Sequence, residues 1–125
     1  MLRYKIVKQR NALDKDKKEM YYPRLTNRRK CNLYDLAEDI ARRSTLSKAD
    51  IIATLVSLED IIPEYLSNGR SVDLGHLGTF SLQAHTEISQ TAEEVTWRSF
   101  QSLKAKFRPG KALKVNLREV KFKRV

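Results

Sequence analysis

Apolar side chains recur at Leu33, Leu36, Ala37, Ile40 and Ala41, an i, i+3, i+4, i+7, i+8 spacing that draws one stripe down a helix, with Asn32 placed to cap its first turn. A longer stripe runs through Ile51, Ile52, Leu55, Leu58, Ile62, Tyr65 and Leu66. Ser47-Lys48-Ala49-Asp50 has the form of a capping box at its start, with Asp as a shorter third-position acid, and Asn68-Gly69 supplies a stop. Pro63 lies inside this pattern and lacks a backbone donor, so a kink or local break is expected near Glu59. After Gly69 the period changes from 3.6 to 2. Residues 71–74 and 79–82 alternate apolar with polar, and Gly75 and Gly78 between them allow a tight reversal, which predicts a hairpin. Leu103, Ala105 and Phe107 then alternate with Lys104, Lys106 and Arg108, predicting a strand whose polar face carries three cations. Pro109-Gly110 opens a short helix through Leu113 and Leu117, with Lys111, Lys114 and Arg118 on another face. At the two ends, residues 2–8, 21–27 and 119–124 read as short strands. Pro23 assigns the second of them to a sheet edge, and the last is expected to pair with the first. Residues 10–20 are charged and aperiodic and read as a surface loop.

Charge changes this picture by its placement. The chain of 125 residues has a net charge of +10, yet residues 31–102 alone carry −6, while residues 1–30 and 103–125 each carry +8. A protein whose basic ends meet in the fold presents a surface suited to a polyanion, whereas plain solubility would interleave the signs. The length fits one compact domain, 1–125, with a small core. Cys31 is the single cysteine; it has no internal disulfide partner and reads as a small half-buried residue of a reducing compartment. No apolar run approaches the roughly 18 residues of a membrane helix, and the N-terminal residues lack a continuous apolar stretch, so a cytoplasmic location is expected.

Catalytic chemistry is poorly supported. His76 and His85 lie nine residues apart across the hairpin, without a third ligand or a triad partner. Asp35, Glu38 and Asp39 fall on the solvent side of the first helix, where no pocket would shift their pKa. Gly75-x-x-Gly78 is followed by a strand and lacks the Gly-Lys-Ser/Thr of a phosphate loop. No catalytic residue, metal, cofactor or small-molecule substrate is therefore expected. Phe80 and Phe107 read as core; Trp97 and Phe100, beside Arg98, read either as core or as stacking surfaces for unpaired bases.

The segment Gly-Arg-Ser-Val-Asp-Leu-Gly-His-Leu-Gly-Thr-Phe at 69–80, the helices before it, and Arg-Pro-Gly-Lys-Ala-Leu at 108–113 together resemble the HU and integration host factor family of bacterial nucleoid proteins. The resemblance spans residues 31–118. It implies an α+β fold with two N-terminal helices packed on a β-hairpin sheet and a short C-terminal helix, assembled as an intertwined dimer. The strands at 1–30 and 119–125 stand outside that minimal core and look like the elaboration of a longer subfamily. Two amphipathic helices of this size cannot bury both apolar faces alone, which points to the same dimer, against a monomer closed by the added N-terminal strand. The partner implied is double-stranded DNA, bound through its backbone with little sequence preference. Lys111 carries over residue for residue in Gly-Lys-Ala-Leu. Lys104, Lys106, Arg108 and Lys114 extend the phosphate-binding set, with Arg98 and the Arg28-Arg29-Lys30 cluster as further candidates. Residues 83–103 occupy the place of the family's DNA-embracing arm but depart from it. Between residues 85 and 102 there are three Glu and one Arg, and no proline occurs between Leu82 and Arg108 to wedge between base steps. Thr91-Ala92-Glu93-Glu94 even has capping-box form, hinting at a helical turn there. Weaker bending than in the family is expected. Two other readings stay open: a protein-interaction or structural module that has lost DNA wrapping and uses residues 85–102, and a single-strand or RNA binder using Trp97 and Phe100.

Overall fold

The computed structural model of the chain describes residues 1–9 and 19–125; most of the loop expected over 10–20 lies outside the described residues. The chain divides into two compact units, Asn32–Val115 and a terminal unit formed by Met1–Cys31 with Asn116–Val125.

The first unit opens with helix α1, Leu33–Arg43. Its start is a reciprocal cap: the Asn32 side chain accepts from the Asp35 N–H at 2.9 Å, and the Asp35 carboxylate accepts from the Asn32 N–H at 3.1 Å. Two otherwise orphan donors are thereby satisfied. Helix α2, Lys48–Ser67, begins where Ser47 Oγ accepts from the Asp50 N–H at 3.1 Å. It passes through Glu59 and Pro63 without the expected break. Proline removes one ladder bond, but half-buried Leu58 and Ile62 and buried Leu66 lie on the packed side of the same stretch and hold the helix across it. The helix stops at Asn68, and Gly69, with φ of 78°, turns the chain so that the Arg70 N–H reaches the Tyr65 carbonyl at 3.0 Å.

The rest of this unit is an antiparallel sheet in the order β3-β4-β5, formed by Val72–Asp73, Gly78–Thr86 and Phe100–Pro109. Helix α3, Lys111–Arg118, follows at once. In the terminal unit, β1 (Leu2–Gln9) is the central strand of the order β2-β1-β6. Strand β2 (Met20–Leu25) runs antiparallel to it with Pro23 on the edge, and β6 (Phe122–Arg124) runs parallel to it. The expected pairing of the last strand with the first is thus present. Strand β6 is shorter than the alternation from Glu119 suggests, because α3 extends to Arg118 and a turn takes Glu119.

Burial is sparse. Among the described residues the buried apolar side chains are Ala37, Ile51 and Leu66, at 0%, 4% and 6% exposure. Phe80 is half-buried, and Phe107, expected in the core, is 39% exposed although its ring lies 5.0 Å from that of Phe80. The two rings meet on one sheet face with Gly78 close against Phe107, and Phe107 still keeps more than a third of its surface open. Cys31, expected to be half-buried, is exposed, since it sits in the irregular link between β2 and α1 and not on a packed face.

Two glycines of the hairpin differ in what they permit. Gly78 has φ of 147°, and a Cβ there would strike the Arg108 carbonyl oxygen and the Phe107 ring; Gly75, with φ of 66°, faces open space. Gly78→Ala is therefore expected to lower the melting temperature by more than Gly75→Ala, whose cost is confined to a strained backbone of about 1–2 kcal/mol. Thermal unfolding followed by circular dichroism checks the order; equal losses would show that the strand contact at Gly78 relaxes freely.

Candidate nucleic-acid interface

The pairing of β4 with β5 decides where the cations go. Phe80 faces Phe107, Leu82 faces Ala105 and Ala84 faces Leu103; the intervening rungs set Thr79 against Arg108, Ser81 against Lys106 and Gln83 against Lys104. Because side chains alternate across a sheet, the first set forms one apolar face and the second one polar face. Each cation on that polar face stands opposite a neutral hydroxyl or amide. Lys104, Lys106 and Arg108 are exposed, and none lies within 4 Å of a carboxylate among the described residues. Two residues of strand rise separate successive cations by about 6.6 Å, close to two steps of the roughly 3.4 Å axial repeat of phosphates along one DNA strand.

Helix α3 follows β5 directly in the chain. Its start is fixed against the hairpin turn: the Gly110 N–H donates to the Leu77 carbonyl at 3.0 Å, and any Cβ on Gly110 would meet the His76 carbonyl. Lys111 is thereby held two residues beyond the strand, and Lys114 lies one turn on, its N–H donating to the Gly110 carbonyl at 3.1 Å. Both are exposed and without an acidic partner among the described residues. Five of the residues expected from the sequence thus follow one another along β5 and the first turn of α3, all of them exposed.

Arg98 lies apart from that row, at the far end of the hairpin. Beyond a bulge at Gln101, where His85 pairs with Ser102 but Thr86 pairs with Phe100, the arm ends in two short 3₁₀ turns, Ala92–Glu94 and Trp97–Ser99. The first is the helical turn hinted at by the sequence, but Thr91 makes no side-chain cap. Thr96 caps the second reciprocally with Ser99. Arg98 sits in this distal turn with its guanidinium 5.3 Å from the Trp97 ring centre, and Glu87, Glu93 and Glu94 share the same end of the arm. Lys104, Lys106 and Arg108 thus lie toward the base of the arm, while its tip holds three carboxylates against one guanidinium. Arg28, Arg29 and Lys30 lie in the terminal unit, exposed and outside regular structure. The terminal sheet also sets Arg3, Lys5, Arg24 and Lys123 at one parity; the alternation is visible in the sequence, the register is not. His76 occupies the hairpin turn and His85 a strand position. No group of three His, Cys, Asp or Glu among the described residues is placed to hold a metal ion, and no described helix is long and apolar enough to cross a membrane.

Comparison with known families decides the relationship. The model of the HU-HIG family, described as an HU domain fused to wHTH, Ig, or glycine-rich motif, matches residues 1–124. The chain belongs to this HU-like family. Solved structures agree on the α+β HU fold. A crystal structure of a candidate bacterial DNA-binding protein from Bacteroides vulgatus superposes with a TM-score of 0.67 at 14% identity over 99% of this chain, which spans 48% of that protein. A point mutant of HU from Thermotoga maritima matches with a TM-score of 0.51 at 24% identity, covering 70% of this chain and 99% of its own. HU of Anabaena, in a cocrystal with DNA, gives 0.56 at 18% identity, covering 72% and 100%. No curated protein matches the chain. The chain therefore spans about half the length of the Bacteroides protein, while the two HU proteins leave more than a quarter of this HU-HIG chain unmatched.

The single tryptophan of this HU-HIG chain, Trp97, is 77% exposed, where the sequence allows either core or surface. Its fluorescence in the folded protein is expected to be quenched by acrylamide nearly as efficiently as after denaturation. Strong protection would place the arm tip against a partner copy.

Proposed function

We propose that this HU-like chain is a nucleoid-associated, non-enzymatic protein that binds double-stranded DNA through its phosphates, with little sequence preference, as a homodimer. The observation that carries the reading is the row of Lys104, Lys106 and Arg108 at strand spacing, unpaired among the described residues and followed in the chain by Lys111 and Lys114, in a chain of the HU family. Charge at regular spacing without base-reading groups favours contact with the backbone by counterion release. The DNA cocrystal of Anabaena HU supports the choice of partner.

The dimer rests on exposed apolar surface. Leu36, Ile40, Val56 and Ile61 are all exposed on α1 and α2, and a second copy covering them would supply the core that three buried side chains do not. Bending is expected to be weak, because the arm tip is acidic and has no proline to unstack a base step.

A second reading has its own observation. Ile88 is 97% exposed at the arm tip, near exposed Val95, Trp97 and Phe100, which would suit a protein partner. Fluorescence anisotropy with a duplex of about 30 base pairs across a salt series separates the two, four or more neutralised phosphates giving a log–log slope of about −3.6 or steeper. Charge reversal of Lys104, Lys106 and Lys111 is expected to flatten that slope. Absence of binding at low salt would favour the interaction module, and preference for a single-stranded competitor would favour stacking by Trp97 and Phe100.

A further inference from the structure

The terminal sheet carries charge that the β5 row does not use. Strand register sets Lys5 directly against Arg24, and Arg3 directly against Lys123. These four positions share one parity, so their side chains leave the same face of β2-β1-β6. The opposite parity carries Leu2, Tyr4, Ile6, Pro23, Leu25 and Phe122 together with Lys8 and Arg124, and beyond Lys5 the cationic parity continues as Val7 with Tyr22 and Gln9 with Met20. The one ion pair of this unit among the described residues, Lys8 with Glu19, also belongs to that opposite parity, and Lys8 together with Tyr21 holds the Glu19 carboxyl below the usual carboxylate range. The four cations are exposed and have no carboxylate within 4 Å among the described residues.

Like charges directly across a sheet repel, strands being about 5 Å apart, and here the arrangement occurs twice on one face. Edge lysines commonly serve to keep sheets from pairing with other molecules. That explanation does not reach Arg3, which is flanked on both sides, by Lys123 of β6 and by the Thr26 N–H donating to its carbonyl. The face also continues into a hollow. Arg3, Arg28 and Arg29 line an open groove of about 630 Å³ with Met1, Leu2, Thr26 and Asn27. Asn27, with φ of 56°, turns the chain at that point, a conformation Asn tolerates better than most residues. Three arginines at one concavity suit bidentate contact with phosphate oxygens.

We infer that the basic face of the terminal sheet, with the Arg3-Arg28-Arg29 groove at its end, is a second phosphate-binding surface for duplex DNA, built from residues separate from the β5–α3 row. It rests on the proposal of DNA binding but not on the row that carries it. Neutralising either surface removes its own share of the salt dependence and leaves the other.

The experiment compares the parent with K104Q/K106Q, with R3Q/K5Q/R24Q/K123Q and with their combination, by anisotropy on the same duplex across salt. The sheet variant is expected to lose about two to four units of log–log slope, at roughly 0.9 per phosphate, and to bind at least tenfold more weakly at low salt. The combination is expected to lose the sum of the two slope changes. A charge-keeping variant, R3K/K5R/R24K/K123R, is expected to match the parent. If the sheet variant keeps the parent slope while K104Q/K106Q loses it, the inference fails and the DNA reading stands. If the sheet variant loses slope and K104Q/K106Q does not, the inference stands and the β5 row is not the DNA surface. A parent that binds no duplex overturns both, and a charge-keeping variant as weak as the glutamine variant overturns the inference, since the loss would then be structural.

Discussion

The antiparallel register between β4 and β5 governs this molecule. Side chains alternate between faces, so a slip of one residue would exchange the apolar and basic sets and turn Lys104, Lys106 and Arg108 onto the side of Phe80. Two contacts hold the register against that. The Phe80 and Phe107 rings meet across the strands, and Gly78 brings the hairpin backbone against Arg108 too closely for any side chain. Gly110 repeats the device one step on, letting α3 start directly against the turn at His76. The position of each cation thus follows from apolar and glycine contacts in which no charge takes part.

This division of labour suits a chain that buries so little. With Ala37, Ile51 and Leu66 as its buried apolar residues among those described, it has scant hydrophobic energy of its own, and local devices largely define its elements. The reciprocal cap of Asn32 and Asp35 and the Ser47 cap fix two helix starts, and the left-handed turn at Gly69 fixes one stop. The apolar faces of α1 and α2 are well formed but largely uncovered. A surface of that kind acquires a thermodynamic reason when another molecule completes it.

What can be read from the sequence follows the range of the interactions. The helices, the Asn32 cap, the hairpin glycines and the cationic strand depend on neighbours a few residues away and stand in the structure as their patterns suggest, whereas the capping box read at Ser47–Asp50 is half made, Ser47 accepting from the Asp50 N–H without the return bond. The HU-like relationship is equally legible, since Gly69–Phe80 and Gly-Lys-Ala-Leu are contiguous. The expected break in α2 is absent because a proline rule is local, whereas Leu58, Ile62 and Leu66 hold the helix from its packed side. Phe107 and Cys31 lie shallower than their composition suggests, since hydrophobicity predicts a tendency toward burial and not the presence of something to bury against. The basic face of the terminal sheet is hidden for a third reason: Lys5 meets Arg24, and Arg3 meets Lys123, only once a register between distant segments is known.

The parallel pairing of β6 with β1 has a consequence for how the chain is made. Leu2 lies opposite Phe122, so two of the three strands of that sheet are separated by nearly the whole sequence. A ribosome would release β4 and β5 close together, while β1 would wait for its parallel neighbour until β6 emerged. Contacts of such long sequence separation form slowly, because a large loop must close before they contribute. During synthesis the nascent chain would therefore expose one side of β1 as an unfilled edge, and a chaperone or a neighbouring polypeptide would meet that edge before β6 did.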